Sequence, residues 1–104
     1  MRKIWHNRQI KPESEAHTSV YSSAMMFGDT CFEMMRTFNR QTLRLSEHID
    51  RLLTSCRMLE IDVPVSKEEL ISAHEGLVHY HVHAFPDEQE WRTLININRG
   101  ILPI

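Results

Sequence analysis

Three histidines at alternate positions, His79, His81 and His83, carry the most conspicuous metal-binding chemistry in this sequence. On a strand they would present three imidazoles on one face and could hold Zn or Cu. Near a helix end they point in different directions, and only His79 and His83 lie one turn apart. Residues Ser66 to Val78 read as helix, so the three are expected at a helix C-terminus, facing water or complementing the dipole, and no metal site is expected. Asp29 and Glu33 fall on one strand face and could form a pair of acids, but their spacing fixes no substrate between them. Met25, Met26, Met34, Met35 and Met58 read as adaptable core filling. Cys31 and Cys56 stand singly, which fits reduced core thiols better than a disulfide framework. GxSxG, P-loop, GxGxxG and HExxH patterns are absent from the sequence.

The elements that must position these residues follow from periodicity and turn chemistry. Lys3 to Ile10 reads as a hairpin bent at His6-Asn7-Arg8-Gln9, with Arg8 where Gly is commoner. Lys11 to Thr18 is polar and loop-like. In Thr30 to Phe38, Phe32, Met34, Arg36 and Phe38 alternate with Cys31, Glu33, Met35 and Thr37, a period of two that predicts a strand. Asn39-Arg40 then turns the chain into Gln41 to Leu45 as a second hairpin. Ser46 is the expected N-cap of a helix in which Leu45, Ile49, Leu52, Leu53, Cys56 and Leu59 share an arc of about 120°. Arg51 falls outside that arc, where an arginine is ordinarily a solvated surface residue. Ser66 and Glu69 have capping-box spacing, Val65 and Leu70 that of a hydrophobic staple, and Leu70, Ile71, His74, Leu77 and Val78 continue a buried face. Trp91 to Asn98 is strand-like. This order predicts an α+β fold, a mainly antiparallel sheet with two helices on one face.

Twelve basic residues against 14 acidic ones give a net charge of −2 over 104 residues, 41% of them hydrophobic. These are values for a folded domain, and with the basic residues scattered they exclude a dedicated nucleic-acid or polybasic membrane surface. No apolar run approaches the roughly 20 residues of a bilayer-spanning helix, and the start lacks the apolar stretch of a signal peptide, so a cytoplasmic location is expected. The chain reads as one small domain, residues 1–104. Its last four residues include Ile101, Leu102 and Ile104, whereas chain ends are ordinarily polar. The expectation is an N-terminal fragment of a longer, two-domain protein.

Two motifs carry a resemblance. Phe27-Gly28-Asp29-Thr30-Cys31-Phe32-Glu33-Met34-Met35-Arg36-Thr37-Phe38-Asn39 is followed by Leu43-Arg44-Leu45-Ser46-Glu47-His48-Ile49-Asp50-Arg51-Leu52. Together they resemble the small N-terminal domain of class IV pyridoxal-phosphate aminotransferases. The nearest likeness is to branched-chain amino-acid aminotransferases and their relatives, the D-amino-acid aminotransferases and aminodeoxychorismate lyases. It runs from Ile4 to about Gly100 and includes Ser66-Lys67-Glu68-Glu69-Leu70 and Arg99-Gly100. Thr30 and Met34 stand where the family frequently has Gly.

The resemblance implies that Arg51, the arginine of the His-x-x-Arg-Leu motif, binds the cofactor phosphate, reversing the bland surface reading. A guanidinium suits that task as a planar, permanently charged fork. It implies that Phe27 and Phe32 line the substrate side-chain pocket and that Arg36, on the strand face of Phe32, lies near it. It also implies that the lysine forming the Schiff base belongs to a second, larger domain: none of Lys3, Lys11 and Lys67 matches it, so this chain is expected to have no catalytic residue and no activity alone. The complete enzyme would move an amino group between an amino acid and a 2-oxo acid as a homodimer. Rival readings are a stand-alone binding or dimerisation module and a lyase on the same cofactor.

Overall fold

Two Asn-Arg dipeptides fold the chain back on itself. In the computed structural model, which describes residues 1–103, β1 (Lys3–His6) pairs antiparallel with β2 (Gln9–Pro12), and β3 (Thr30–Phe38) with the short β4 (Gln41–Thr42). Both links are two-residue turns in the left-handed region, with φ of 49° and 67° at Asn7 and Arg8 and of 54° and 63° at Asn39 and Arg40. That twist matches the flanking strands, and Arg at the second position costs about 1 kcal/mol relative to Gly. The carboxylate of Glu90 offsets the cost at the second turn. It accepts the Asn39 amide at 2.6 Å, the Arg40 amide at 2.9 Å and the Thr37 hydroxyl at 2.7 Å.

The second hairpin is shorter than the expected Gln41 to Leu45. Leu45 already opens α2 (Leu45–Met58), and the N-cap is Arg44 in a left-handed conformation (φ 54°), not Ser46. A tight hairpin needs an immediate change of direction to lay the helix back on the sheet, and Arg44 supplies it. The polar stretch after Ile10 is also more regular than a loop: β2 continues through Pro12, and a 3-10 turn follows at Glu13–Glu15. A five-residue helix, α1 (Ser23–Phe27), was not legible in the sequence. It ends at Gly28, whose φ of 66° is accessible without strain only when no Cβ is present.

β5 (Arg92–Asn98) runs antiparallel to β3, from Thr30 opposite Asn98 to Arg36 opposite Arg92, giving the strand order β4-β3-β5. The N-terminal hairpin is a separate two-stranded sheet rather than part of this one. Along β3, Cys31, Glu33, Met35 and Thr37 are buried, while Phe32, Met34, Arg36 and Phe38 face outward. Helix α2 covers the inner face, burying Ile49, Leu52 and Cys56, and the core closes with Ile61, Val63, Ile95 and Ile97. Leu59 leaves the predicted stripe because the helix ends before it, and it is exposed. The methionine expectation is corrected too: only Met35 is buried. Met34 is on the opposite strand face, Met25 and Met26 lie on short α1, and Met58 occupies the helix end. Cys31 and Cys56 are unbonded and buried, and burial pushes the Cys56 thiol up to about 11.

Helix α3 (Lys67–Ala84) begins as its sequence predicts, with Ser66 Oγ accepting the Glu69 amide at 3.1 Å. The Glu69 carboxylate does not complete the box; it accepts the Arg8 guanidinium at 2.9 and 3.1 Å. His79, His81 and His83 are on this helix and do not converge. The rings of His79 and His83 lie 4.3 Å apart on the outside. His81 is buried rather than facing water, a correction: its Nδ1–H donates to the Leu77 carbonyl at 2.7 Å, and Nε2 accepts the Lys3 amide at 3.1 Å. Tyr80 adds a bond from its hydroxyl to the Met1 carbonyl at 2.8 Å, so α3 carries the hairpin. Buried His74 shares a hydrogen bond of 2.9 Å with Thr93 on β5, and burial lowers its pKa. Both long helices thus lie over one face of the antiparallel sheet, the α+β arrangement expected. Among the described residues no helix is long and apolar enough to cross a membrane. Ile104, part of the apolar chain end, lies outside the described residues.

Candidate functional site

A carboxylate on an inward-facing strand position needs hydrogen-bond partners, and α2 brings two, a guanidinium and an imidazole. Glu33 is 5% exposed. Its Oε1 accepts Arg51 Nε–H at 2.5 Å, and its Oε2 accepts Arg51 Nη2–H at 2.8 Å and His48 Nδ1–H at 2.9 Å. His48 and Arg51 are three residues apart on the helix, hence neighbours on one side of it, and that side lies over β3. The Arg51 fork, then His48, hold the Glu33 carboxyl down at about 2, against the opposing pull of burial; the same pairing raises the Arg51 pKa. Arg51 itself is not sealed inside: its side chain is 71% exposed. Its position outside the apolar stripe of α2 leaves the guanidinium at the edge of the sheet, one side engaged and one side in water.

His48 also lines a shallow cavity of about 210 Å³ with Met34, Met35, Arg36, Leu43 and Arg92. Arg36 and Arg92 are cross-strand partners, so two guanidinium groups share the outer sheet face. The Arg36 guanidinium stacks on Phe38 at 4.0 Å, and its Nε–H donates to the Thr37 carbonyl at 3.0 Å. His48 thus borders the cavity that Arg36 lines and also bonds the Glu33 carboxylate that Arg51 engages, while Arg51 itself does not line the cavity. Phe32 is on the same outer face, and Phe27 is the last residue of α1; both are exposed, and neither lines the cavity.

Asp29 and Glu33 do not form a pair of acids. Asp29 accepts Arg99 Nε–H at 2.6 Å, while Glu33 is engaged by Arg51 and His48. Arg99 also donates to the Glu60 carbonyl at 2.7 Å and to the Leu59 carbonyl, tying the end of β5 to the end of α2. What the sequence reasoning missed was the roles of Glu33 and His48. The available signal was a charged residue in the phase of Cys31 and Met35: a carboxylate among buried neighbours demands a partner.

Comparisons with known proteins identify the family. Residues 30–102 match the family described as Amino-transferase class IV. A putative branched-chain-amino-acid aminotransferase of Methanocaldococcus jannaschii is 41% identical over 69 residues, covering 66% of this chain and 24% of its own length. A D-alanine aminotransferase of Listeria monocytogenes is 33% identical over 76 residues, covering 73% of this chain and 26% of its own length. Among solved structures, the branched-chain aminotransferase of the thermophilic archaeon Thermoproteus uzoniensis, with norvaline, superposes with a TM-score of 0.73 at 27% identity, over 99% of this chain and 35% of that one. The chain spans about a quarter of the length of the curated relatives it matches and corresponds to the N-terminal part of the solved structures. With β3, α2, α3 and β5 all inside the matched region, this protein belongs to the class IV aminotransferase family.

Proposed function

We propose that this chain is the small N-terminal domain of a pyridoxal-phosphate-dependent aminotransferase of the branched-chain type, and that Arg51 grips the cofactor phosphate. The observation that carries the reading is an exposed guanidinium clamped along one edge by a buried carboxylate. Its Nη1 makes no hydrogen bond among the described residues, so a permanently charged donor edge faces outward. That donor set fits a phosphate, which takes parallel N–H bonds from a planar fork. Pyridoxal phosphate, when bound, supplies the electron sink for moving an amino group between an amino acid and a 2-oxo acid.

The residues of this chain bind and orient; they do not supply the amine that holds the cofactor. Lys67 Nζ is bound to Asp50 at 2.8 Å, and Lys3 Nζ lies 4.5 Å over the Tyr80 ring. The lysine is assigned instead to a larger C-terminal domain, in keeping with relatives of which this chain covers only 24% to 35%. Phe27, Phe32 and Arg36 then form this domain's contribution to the substrate side of the pocket. Their exposure, shared by Met34, Phe38 and Leu94, suits a face covered in a larger assembly, formed with that second domain and a second copy in a homodimer. The unbonded thiols of Cys31 and Cys56 fit a cytoplasmic protein.

The test uses the 104-residue chain with pyridoxal phosphate, an amino acid and a 2-oxo acid, followed by borohydride. No amino transfer and no stoichiometric label on Lys3, Lys11 or Lys67 are expected, while the Arg51 side-chain NMR signals move with pyridoxal phosphate and not with pyridoxal. Turnover by the chain alone, or one lysine labelled to completion, refutes the assignment of the amine to another domain. Arg51 signals indifferent to the phosphate refute the grip.

A further inference from the structure

We infer that Glu33 is the positioning residue for Arg51: by occupying the Nε–Nη2 edge of the guanidinium, its carboxylate reserves the Nη1 side for the cofactor phosphate. The inference rests on the reading of Arg51 as a phosphate grip and adds a role for a residue that touches no ligand. A guanidinium has five N–H donors in a rigid fork. Glu33 takes one from Nε and one from Nη2. The three that remain, two on Nη1 and one on Nη2, lie together at the outer end of the plane, where one anion can accept two of them in parallel.

The bracket holding that plane is built from opposite sides. Glu33 comes from the inner face of β3, with buried Cys31 and Met35 two residues away on either side. Arg51 and His48 come from α2, and the His48 bond to Oε2 opposes rotation of the carboxylate. An arginine left free at this exposed site would have to surrender its rotamer entropy on binding. Held in place, it has already done so. Stability alone gives no reason for a carboxylate here, because an apolar residue would continue the inner row, and an ion pair that buries its carboxylate rarely outperforms good apolar packing.

Positioning and charge act in opposite directions at this site, since the Glu33 carboxylate also repels a phosphate. Glu33→Asp separates them, keeping the charge and withdrawing it by one methylene. Glu33→Gln removes the charge and keeps the length and one acceptor. The experiment follows the Arg51 Nε–Hε and Nη–H NMR signals and titrates the chain with pyridoxamine phosphate, which has no aldehyde to react with lysines, with pyridoxamine and inorganic phosphate as parallel arms. In the native chain the Nε–Hε signal is expected downfield and protected, and pyridoxamine phosphate moves the Nη signals while leaving Nε–Hε in place. In Glu33→Asp the Nε–Hε signal moves to the position of a solvated arginine, responds to the ligand, and binding weakens roughly 2- to 10-fold. In Glu33→Gln, Nε–Hε stays closer to its native position, and binding is no weaker than in the native chain. Amide signals of α3 and the N-terminal hairpin, unchanged in both variants, report an intact fold.

Native affinity in Glu33→Asp, with Nε–Hε at the solvated position, overturns the positioning role and leaves the phosphate grip standing. So does native affinity in both variants with the Nε–Hε signal moving on titration of the native chain. Native Arg51 signals that ignore both pyridoxamine phosphate and inorganic phosphate overturn the grip itself, and the inference falls with it.

Discussion

Replacing the exposed partner of the Glu33–Arg51 pair should cost more stability than neutralising the buried one. Holding the Glu33 carboxyl at about 2 instead of 4.5 corresponds to roughly 3 kcal/mol favouring the folded carboxylate at neutral pH. Arg51 stands largely in water, so screening takes a substantial part of that value away. Arg51→Met removes the fork and leaves a carboxylate with 5% exposure on His48 alone, the more costly of the two changes. Glu33→Gln removes the buried charge, keeps one acceptor for Arg51 and returns the other Arg51 donor to a solvent that already reaches it, for about 1 kcal/mol. The sign of the pH dependence follows from a depressed carboxyl. Its contribution is fully present above 4.5 and disappears as pH falls through about 2. Urea unfolding followed by the fluorescence of Trp5 and Trp91 at pH 7 and pH 3 measures both variants against the native chain, and the Arg51→Met deficit should shrink at the lower pH. A larger loss for Glu33→Gln than for Arg51→Met at pH 7, or an Arg51→Met deficit of the same size at both pH values, would refute the reasoning.

Arg40→Gly should raise stability by about 0.5–1 kcal/mol in the same urea assay, because Gly takes the left-handed turn position without a Cβ penalty. Ile49→Ala, at a site with no solvent exposure where α2 meets the core, should lower it by about 2–5 kcal/mol. The Glu90 carboxyl is held below its usual range, first by the Arg40 amide and then by the Thr37 hydroxyl. Its support of the turn is therefore present above 4.5 and lost in acid below that, so the Asn39 and Arg40 amide shifts should move together in a step below pH 4.5 and stay flat across it in Glu90→Gln.

Much of this was legible because strand alternation leaves little choice. Once Cys31, Met35 and Thr37 face inward, Phe32 and Arg36 must face outward, and both hairpin turns could be placed by their asparagines. The Arg51 position outside the α2 stripe was readable in the same way, although its significance came from motif resemblance and not from periodicity. The α1 helix was hidden because five residues are too few to show a helical period, and Arg44 was hidden because its capping conformation is imposed by the tight hairpin before it. Four of five methionines defied their composition, since burial depends on the face a residue occupies and not on its affinity for oil. The Glu33 cluster lay beyond one-dimensional reading for another reason: its members come from a strand and a helix, and only the packing of α2 on β3 makes them one unit.

The bond from the Lys3 amide to His81 has a consequence for how the molecule is assembled. It joins residues 78 positions apart, so the β1–β2 hairpin lacks this support until the long third helix has been completed. Closing so wide a loop is slow compared with forming a local turn, which puts the docking of the amino-terminal strands late in folding. Until then those strands stand as a two-stranded ribbon with no third element beside them, a form that is marginally stable in water.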